Sequence, residues 1–160
     1  MKRFPSALPV SRREFLGRVS AGTALLIQAE PAVGQPLTRR KLGIALCGLG
    51  NYASDQLGPA LKLTQNCELR GVVTGSPEKG AAWAKEHGFP QKNIYHYDTM
   101  ARLAENLDID IVYVVTPNAL HTQHVIAAAG AKKHVICEKP MAVGVAECDA
   151  MLTACRTNNG

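Results

Sequence analysis

Residues 42–53 read LGIALCGLGNYA, a short apolar run followed at once by a glycine-containing turn. The run 42–47 has the length and apolar content of a strand that is buried on both faces. The turn has the pattern G-x-G-x-x-A, with the residues Gly48, Leu49, Gly50, Asn51, Tyr52 and Ala53. Its first glycine permits a tight turn, its second lets a pyrophosphate approach the backbone, and its small last residue lets helix and strand pack closely. Between a predicted strand and a predicted helix, this pattern predicts a dinucleotide-binding loop, and the alternative is a purely structural turn.

Short apolar runs and helix-length segments alternate along the rest of the chain. Strands are predicted at 42–47, 69–74, 111–115 and 134–137, with a weaker one at 94–95. Helices are predicted over about 51–64 with a kink at Gly58-Pro59, from Ser76-Pro77 to His87, after Asp98, over about 120–131, and from about Val145. Strand–helix alternation at this spacing predicts βαβ units. The fold class is therefore α/β, a Rossmann-type doubly wound parallel sheet.

Charge is distributed unevenly over the 160 residues. Residues 1–40 hold seven Lys and Arg against two Glu, whereas residues 41–160 hold eleven of each sign. A neutral body lacks the clustered basic face that phosphate backbones require, so nucleic acid is not an expected partner. The five cysteines show no C-x-x-C and no Cys/His spacing typical of zinc, and no metal site is predicted.

The basic N-terminal arm resembles an export signal. Residues 11–16 read SRREFL, similar to a twin-arginine motif, and residues 19–29 carry no charge. Eleven uncharged residues are too few to span about 30 Å of hydrocarbon, so no stable membrane anchor is expected. We expect a twin-arginine signal peptide over 1–34, with a small-residue cleavage site at 32–34, and a periplasmic protein. The alternative is a disordered basic tail.

The end of the second predicted strand discriminates between cofactors. NAD-binding sheets commonly place Asp or Glu about 20 residues beyond the glycine turn, where it bonds the ribose 2′-hydroxyl. Here Thr74 stands at that place, followed by Ser76 and Lys79. Hydroxyls and an ammonium group suit a 2′-phosphate, which predicts NADP as the cofactor. The alternative for Lys79 is a solvated surface lysine.

Two later strand ends are expected to line the same cofactor crevice, because the carboxyl ends of parallel strands share one edge of the sheet. Pro117 and Asn118 follow the fourth strand, and Glu138 and Lys139 follow the fifth. Lys139, held beside Glu138 and fixed by Pro140, could donate a proton near a reacting carbonyl.

Two histidines follow the fourth strand. His121 and His124 are three residues apart, so a metal pair is conceivable, but no further ligands accompany them. We therefore expect His124 to be an ordinary residue on a helix surface.

Four motifs together resemble the Gfo/Idh/MocA oxidoreductases. They are the G-L-G-x-Y-A loop, the V-T-G-S-P-E-K strand end, the Pro-Asn-x-x-His turn and the Glu-Lys-Pro triplet. Within that family the chain most resembles the exported glucose–fructose oxidoreductases, over residues 11–160. The resemblance implies a two-domain enzyme that holds NADP tightly and transfers hydride between sugars. It also implies a sugar or polyol substrate, and we expect the intact protein to form a homo-oligomer.

The resemblance also implies roles for individual residues. The catalytic lysine of the family corresponds to Lys139. The contacts on the nicotinamide side correspond to Pro117, Asn118, His121 and Glu138. The 2′-phosphate contacts correspond to Thr74, Ser76 and Lys79.

Length is the one departure from the family pattern. Family members continue into a sixth strand and a larger C-terminal α/β domain. We therefore expect residues 35–160 to be a truncated NADP-binding Rossmann domain, without that strand and domain and inactive alone. The alternatives are a polyol dehydrogenase of the same family and a non-catalytic nucleotide-binding fragment.

Overall fold

A computed structural model describes residues 40–158. The signal peptide expected over residues 1–34 lies outside the described residues. Among the described residues, no helix is long and apolar enough to cross a membrane.

Five parallel strands form one sheet, in the order β3-β2-β1-β4-β5. The strands are β1 (Leu42–Cys47), β2 (Cys67–Val73), β3 (Ile94–Tyr95), β4 (Ile111–Val114) and β5 (His134–Cys137). From β1, successive strands are added on one side as β2 and β3, and the chain then crosses to the other side of β1 to add β4 and β5. The strand order therefore changes direction between β1 and β4. In a doubly wound sheet this switch point is where a ligand crevice opens. The predicted α/β class and parallel sheet are confirmed, with β2 beginning two residues earlier than expected.

Within the described residues, four α-helices connect or follow the strands. They are α1 (Gly58–Leu63), α2 (Pro77–His87), α3 (His121–Gly130) and α4 (Val145–Asn158). The predicted start of α2 is confirmed, because Ser76 is its N-cap and its side chain accepts the N–H of Lys79. The left-handed Gly88, at φ 75°, ends the same helix.

Two helical segments differ from the prediction. In place of a simple kink at Gly58-Pro59, the chain forms a π-helical turn over Ala53–Leu57 directly before α1. Pro59 has no N–H to continue the regular α pattern, and Gly58 bonds five residues back to Ala53. The helix predicted after Asp98 is a 3₁₀ segment that begins earlier, over Tyr97–Glu105. There His96 and Thr99 cap the segment reciprocally, which sets its start.

The core lies in two layers, one on each side of the sheet. On one face the strands pack against the 3₁₀ segment, α3 and α4, with the buried side chains of Val73, Val114 and Met151. On the other face Leu46 and Val72 pack against Trp83 of α2 and the π-helical turn. Alternate residues of β1, β2 and β4 therefore pack in opposite layers, as the pleat requires. Both layers leave the carboxyl ends of the strands uncovered for the site described next.

Candidate functional site

The turn after β1 can be built only with glycine at its first position. Gly48 has φ +104°, and a Cβ added there would lie 2.9 Å from the Thr116 methyl carbon. Its N–H donates to the carbonyl of Val73 at 2.9 Å, which fixes the turn to the end of β2. The tight turn predicted for this position is therefore present.

Gly50 leaves open space above the same turn. A Cβ added at Gly50 would meet no protein atom within 4 Å. The N–H groups of Leu49 and Gly50 donate to no protein acceptor within residues 40–158. Ala53 is fully buried, so the following helix can lie close against the strands. A cradle of free amides with no side chain above it fits a pyrophosphate.

Half of the predicted cofactor residues line one cleft of about 280 Å³. Its lining consists of Gly48, Leu49, Gly50, Thr74, Ser76, Lys79, Tyr97, Val115, Thr116 and Pro117. The ends of β1, β2 and β4 thus meet at the switch point, as the topology requires.

A second cleft, of about 340 Å³, continues from the first. Its lining consists of Tyr52, Val115, Thr116, Asn118, His121, Glu138, Lys139 and Pro140. Val115 and Thr116 belong to the linings of both clefts, so the two clefts are adjacent. Asn51 is exposed at the helix start and, like the buried Ala53, contributes to neither lining.

The hydroxyls predicted to read a 2′-phosphate are engaged locally. Thr74 is buried, and its Oγ1 accepts the N–H of Ser76 at 3.1 Å. The Ser76 hydroxyl accepts the N–H of Lys79 at 3.3 Å and donates to Glu78 Oε2 at 3.1 Å. The backbone N–H of Glu78, and then the Ser76 hydroxyl, lower the pKa of that carboxyl. Sequence reasoning missed Glu78, which places a carboxylate beside the predicted phosphate position.

Lys139 is exposed at the mouth of the second cleft, and its neighbour Glu138 is held from behind. The phenol of Tyr113 donates to Glu138 Oε1 at 2.6 Å, and the backbone N–H of Lys139 donates to Oε2 at 3.1 Å. The bond from Tyr113 is the main reason that the pKa of Glu138 lies below its ordinary value. Lys139 therefore directly follows a carboxylate whose position is fixed at the edge of the cleft.

The two histidines of α3 both contact Thr116, and His124 is not a surface residue. His121 Nε2 lies 2.7 Å from the Thr116 carbonyl, and His124 Nδ1 lies 3.0 Å from Thr116 Oγ1. Both histidines are almost fully buried, at 1% and 3% exposure. The expectation for His124 was wrong because the 3₁₀ segment covers this side of α3, and the ring of Tyr97 stacks on His124 at 4.7 Å. Within residues 40–158, no three His, Cys, Asp or Glu side chains are grouped to hold a metal ion.

Comparison with known proteins agrees with this site. The family model GFO_IDH_MocA, described as an oxidoreductase family with an NAD-binding Rossmann fold, matches residues 42–160. The chain belongs to this oxidoreductase family. Its sheet and glycine turn are the family's nucleotide-binding domain, as the four motifs predicted.

Two relatives of this chain are named for their activity on sugars. A 1,5-anhydro-D-fructose reductase from Ensifer adhaerens is 34% identical over 111 residues, 69% of this chain and 32% of the relative. A D-xylose 1-dehydrogenase [NADP(+)] from Haloarcula marismortui is 32% identical over 121 residues, 76% of this chain and 33% of the relative. The chain thus spans about a third of the length of these relatives.

A solved structure is more similar in sequence. The aldose-aldose oxidoreductase from Caulobacter crescentus, complexed with glycerol, is 45% identical and superposes with a TM-score of 0.73. The match covers 75% of this chain and 36% of that protein.

Besides Glu78, three polar side chains of this site were not found from the sequence. Thr116 and Tyr97 line the first cleft, and Tyr113 holds Glu138 from behind the second. Thr116 directly follows the fourth predicted strand, so its place at the switch point was the available signal. Tyr97 and Tyr113 carry no motif, and their roles depend on packing and strand register.

Proposed function

We propose that the chain is the NADP-binding part of an exported enzyme that transfers hydride between sugars. The likeness to an aldose-aldose oxidoreductase, at 45% identity, supports two sugars as the reacting partners. The relative named as an NADP(+) enzyme supports that cofactor.

The observation that carries the proposal is the pair of adjacent clefts. The glycine cradle lies at one end, and Glu138 and Lys139 lie at the other. A dinucleotide bound along both clefts would supply the nicotinamide that accepts or gives hydride. Lys139 Nζ, as the neutral amine, would take the hydroxyl proton of one sugar as its carbon loses hydride. It would then return that proton to the carbonyl oxygen of the second sugar as that carbon is reduced.

NADP is favoured over NAD by the charges and hydroxyls at one spot. Thr74 stands where a carboxylate would repel a 2′-phosphate, and Lys79 lies in the first turn of α2 on the cleft wall. A cation opposes the dipole at a helix start, and a bound phosphate would offset that conflict. The carboxylate of Glu78 would repel a bound 2′-phosphate unless its side chain turns away from the cleft. The preference for NADP over NAD therefore requires that the attraction of Lys79 for the 2′-phosphate exceeds the repulsion by Glu78.

Calorimetric titration of the chain with NADP and with NAD tests the cofactor. Hydrogen bonds to charged groups contribute roughly 1.5–3 kcal/mol, so Lys79→Ala should weaken NADP about tenfold or more. NAD binding should stay nearly unchanged. Lys85→Ala, an exposed lysine on the same helix, serves as the matched control and should alter neither. Equal losses of NADP and NAD in Lys79→Ala would contradict phosphate recognition.

The role of Lys139 requires a protein with the full length of the relatives. There Lys139→Ala should lower sugar-dependent turnover about 10²-fold or more, the scale of a positioned acid or base. Cofactor should still bind, whereas Lys132→Ala, at another exposed lysine, should leave turnover unchanged. Unaltered turnover in Lys139→Ala would remove this residue from the reaction. Turnover of inositol or another polyol, without turnover of aldoses, would favour a polyol dehydrogenase.

Export by the twin-arginine route completes the proposal, since a tightly held cofactor can travel inside a folded protein. Replacing Arg12 and Arg13 by Lys should leave the protein in the cytoplasm. The adjacent pair Arg39 and Arg40, replaced in the same way, provides the control and should still be exported. Periplasmic accumulation of the Arg12/Arg13 variant at the wild-type level would contradict this route.

A further inference from the structure

The register of the sheet places Tyr113 and Glu138 on the same face. Tyr113 of β4 lies opposite Ile136 of β5, and Glu138 follows two residues later. Because side chains alternate along a strand, Ile136 and Glu138 point to the side that Tyr113 occupies. A diagonal neighbour at this spacing is within reach of a long aromatic side chain.

Both carboxylate oxygens of Glu138 are engaged by this arrangement. Tyr113 donates to Oε1 at 2.6 Å, and the N–H of Lys139 donates to Oε2 at 3.1 Å. The Glu138 N–H itself donates to the Val114 carbonyl at 3.0 Å, which continues the strand pairing by one residue. The carboxylate thus joins the backbone of the Glu-Lys-Pro turn to β4.

The pKa values of the two groups agree with a charged acceptor and a neutral donor. The bond from Tyr113 leads the causes that lower the pKa of Glu138, and contact with the Tyr52 phenol acts in the same direction. Burial, followed by the bond to Glu138, raises the pKa of Tyr113. The phenol therefore keeps its proton and the carboxyl remains ionised near neutral pH.

We propose that Tyr113 is a positioning residue for the nicotinamide end of the site, acting through Glu138 on the turn that carries Lys139. Tyr113 is not part of either cleft lining, so it acts from behind. The effect of Tyr113 on cofactor binding rests on the proposed function, whereas its hydrogen bond to Glu138 does not depend on that function. The two parts can be measured separately.

The hold on Glu138 is tested by carboxyl NMR titration of the 160-residue chain. In Tyr113→Phe the ionised carboxylate loses its strongest partner, so the pKa of Glu138 should rise toward its ordinary value. Tyr95→Phe is the matched control, because it removes a phenol whose partner is Asn106. It should leave the Glu138 titration unchanged. An unchanged titration in Tyr113→Phe would overturn the proposal.

The effect on cofactor is tested with two ligands that differ only in the nicotinamide end. NADPH and 2′-phospho-ADP-ribose share the adenine, the 2′-phosphate and the pyrophosphate. Tyr113→Phe should weaken NADPH about fivefold, the scale of one ordinary hydrogen bond, and leave 2′-phospho-ADP-ribose unchanged. Equal weakening of both ligands would indicate general loss of structure and overturn the positioning role.

A second variant distinguishes the proposed role of Tyr113 from a folding defect caused by Tyr113→Phe. Glu138→Gln removes the charge that Tyr113 holds, and should reproduce the selective loss of NADPH. If it weakens both ligands equally, the turn does not act on the nicotinamide end and the proposal is overturned. Should the wild-type chain bind neither ligand, the proposed cofactor function fails, and the Glu138 titration alone then supports or overturns the hold by Tyr113.

Discussion

His121 Nε2 lies 2.7 Å from the carbonyl oxygen of Thr116, at the point where the two clefts meet. The other nitrogen of the same ring lies 3.1 Å from the carbonyl of Pro140, beside Lys139. One buried imidazole thus connects the end of β4 to the turn after β5. His124, on the same helix as His121, lies within hydrogen-bond distance of the Thr116 hydroxyl. Two side chains of α3 therefore fix the position of Thr116, which lines both clefts.

This arrangement makes the Thr116 hydroxyl a structural group. Thr116→Val keeps the methyl that packs against Gly48 and removes the partner of His124 Nδ1. A buried polar group left without a partner costs about 1–3 kcal/mol, so the free energy of unfolding in urea should fall by that amount. Thr153→Val, at an exposed threonine of α4, is the control. Equal changes in the two variants would mean that the hydroxyl contributes nothing particular.

The second prediction separates binding from stability at the glycine turn. A Cβ at Gly50 meets no protein atom within 4 Å, and the same is true at Gly144 outside the clefts. Gly→Ala at sites that accept it stabilises proteins by about 0.4–1 kcal/mol through the unfolded chain. Gly50→Ala and Gly144→Ala should therefore both leave the fold intact.

Only the change at Gly50 should affect a dinucleotide, because its methyl group would occupy the path of the pyrophosphate. We expect NADP binding to weaken about tenfold or more in Gly50→Ala, a loss of roughly 1.4 kcal/mol. NADP binding should be unchanged in Gly144→Ala. Full NADP affinity in Gly50→Ala would mean that the cofactor does not approach this turn.

Apolar runs and glycine spacing were enough to predict the sheet and the edge at which the site lies. Strands β1 and β5 begin and end as predicted, because a charged residue or a glycine directly flanks each apolar run. The N-cap at Ser76 was predicted for a similar reason, since its signal is local.

Contacts between distant residues could not be predicted in this way. Tyr113 and Glu138 are 25 residues apart, and only the register of β4 against β5 brings them together. His124 was placed on the surface because helical periodicity treats histidine as polar. Its burial depends on the 3₁₀ segment that carries Tyr97, whose position no local pattern indicated.

The third prediction concerns the carboxylate that the sequence analysis overlooked. Glu78→Gln removes a negative charge 3.1 Å from Ser76 Oγ, where the 2′-phosphate is proposed to lie. NADP should then bind about threefold to tenfold more tightly, the scale of one charge interaction near a protein surface, while NAD changes little. Glu86→Gln, at the other end of α2, is the control. Weaker NADP binding in Glu78→Gln would place the phosphate elsewhere.

The last prediction follows from the burial of His124. Burial, and then the neighbouring His121, lower the pKa of His124 below 6.5. The unfolded chain therefore binds a proton at a higher pH than the folded chain does. Stability from the neutral ring is fully present above about pH 6.5 and is lost as the pH falls toward the folded pKa.

Urea unfolding from about pH 7.5 to about pH 5 measures this loss, since histidine titrates within that window. In His124→Gln the free energy of unfolding should fall less steeply than in the wild type. Burial also lowers the pKa of His87, so His87→Gln should flatten the curve as well, and the double variant should be flatter than either. A His124→Gln curve parallel to the wild type would mean that His124 binds protons equally in the folded and unfolded chains, so that burial does not lower its pKa. A His124→Gln curve that falls more steeply than the wild type would mean that His124 is charged in the folded protein. The bond to Thr116 Oγ1 would then be donated by an imidazolium, and α3 would place a buried positive charge beneath the cofactor clefts.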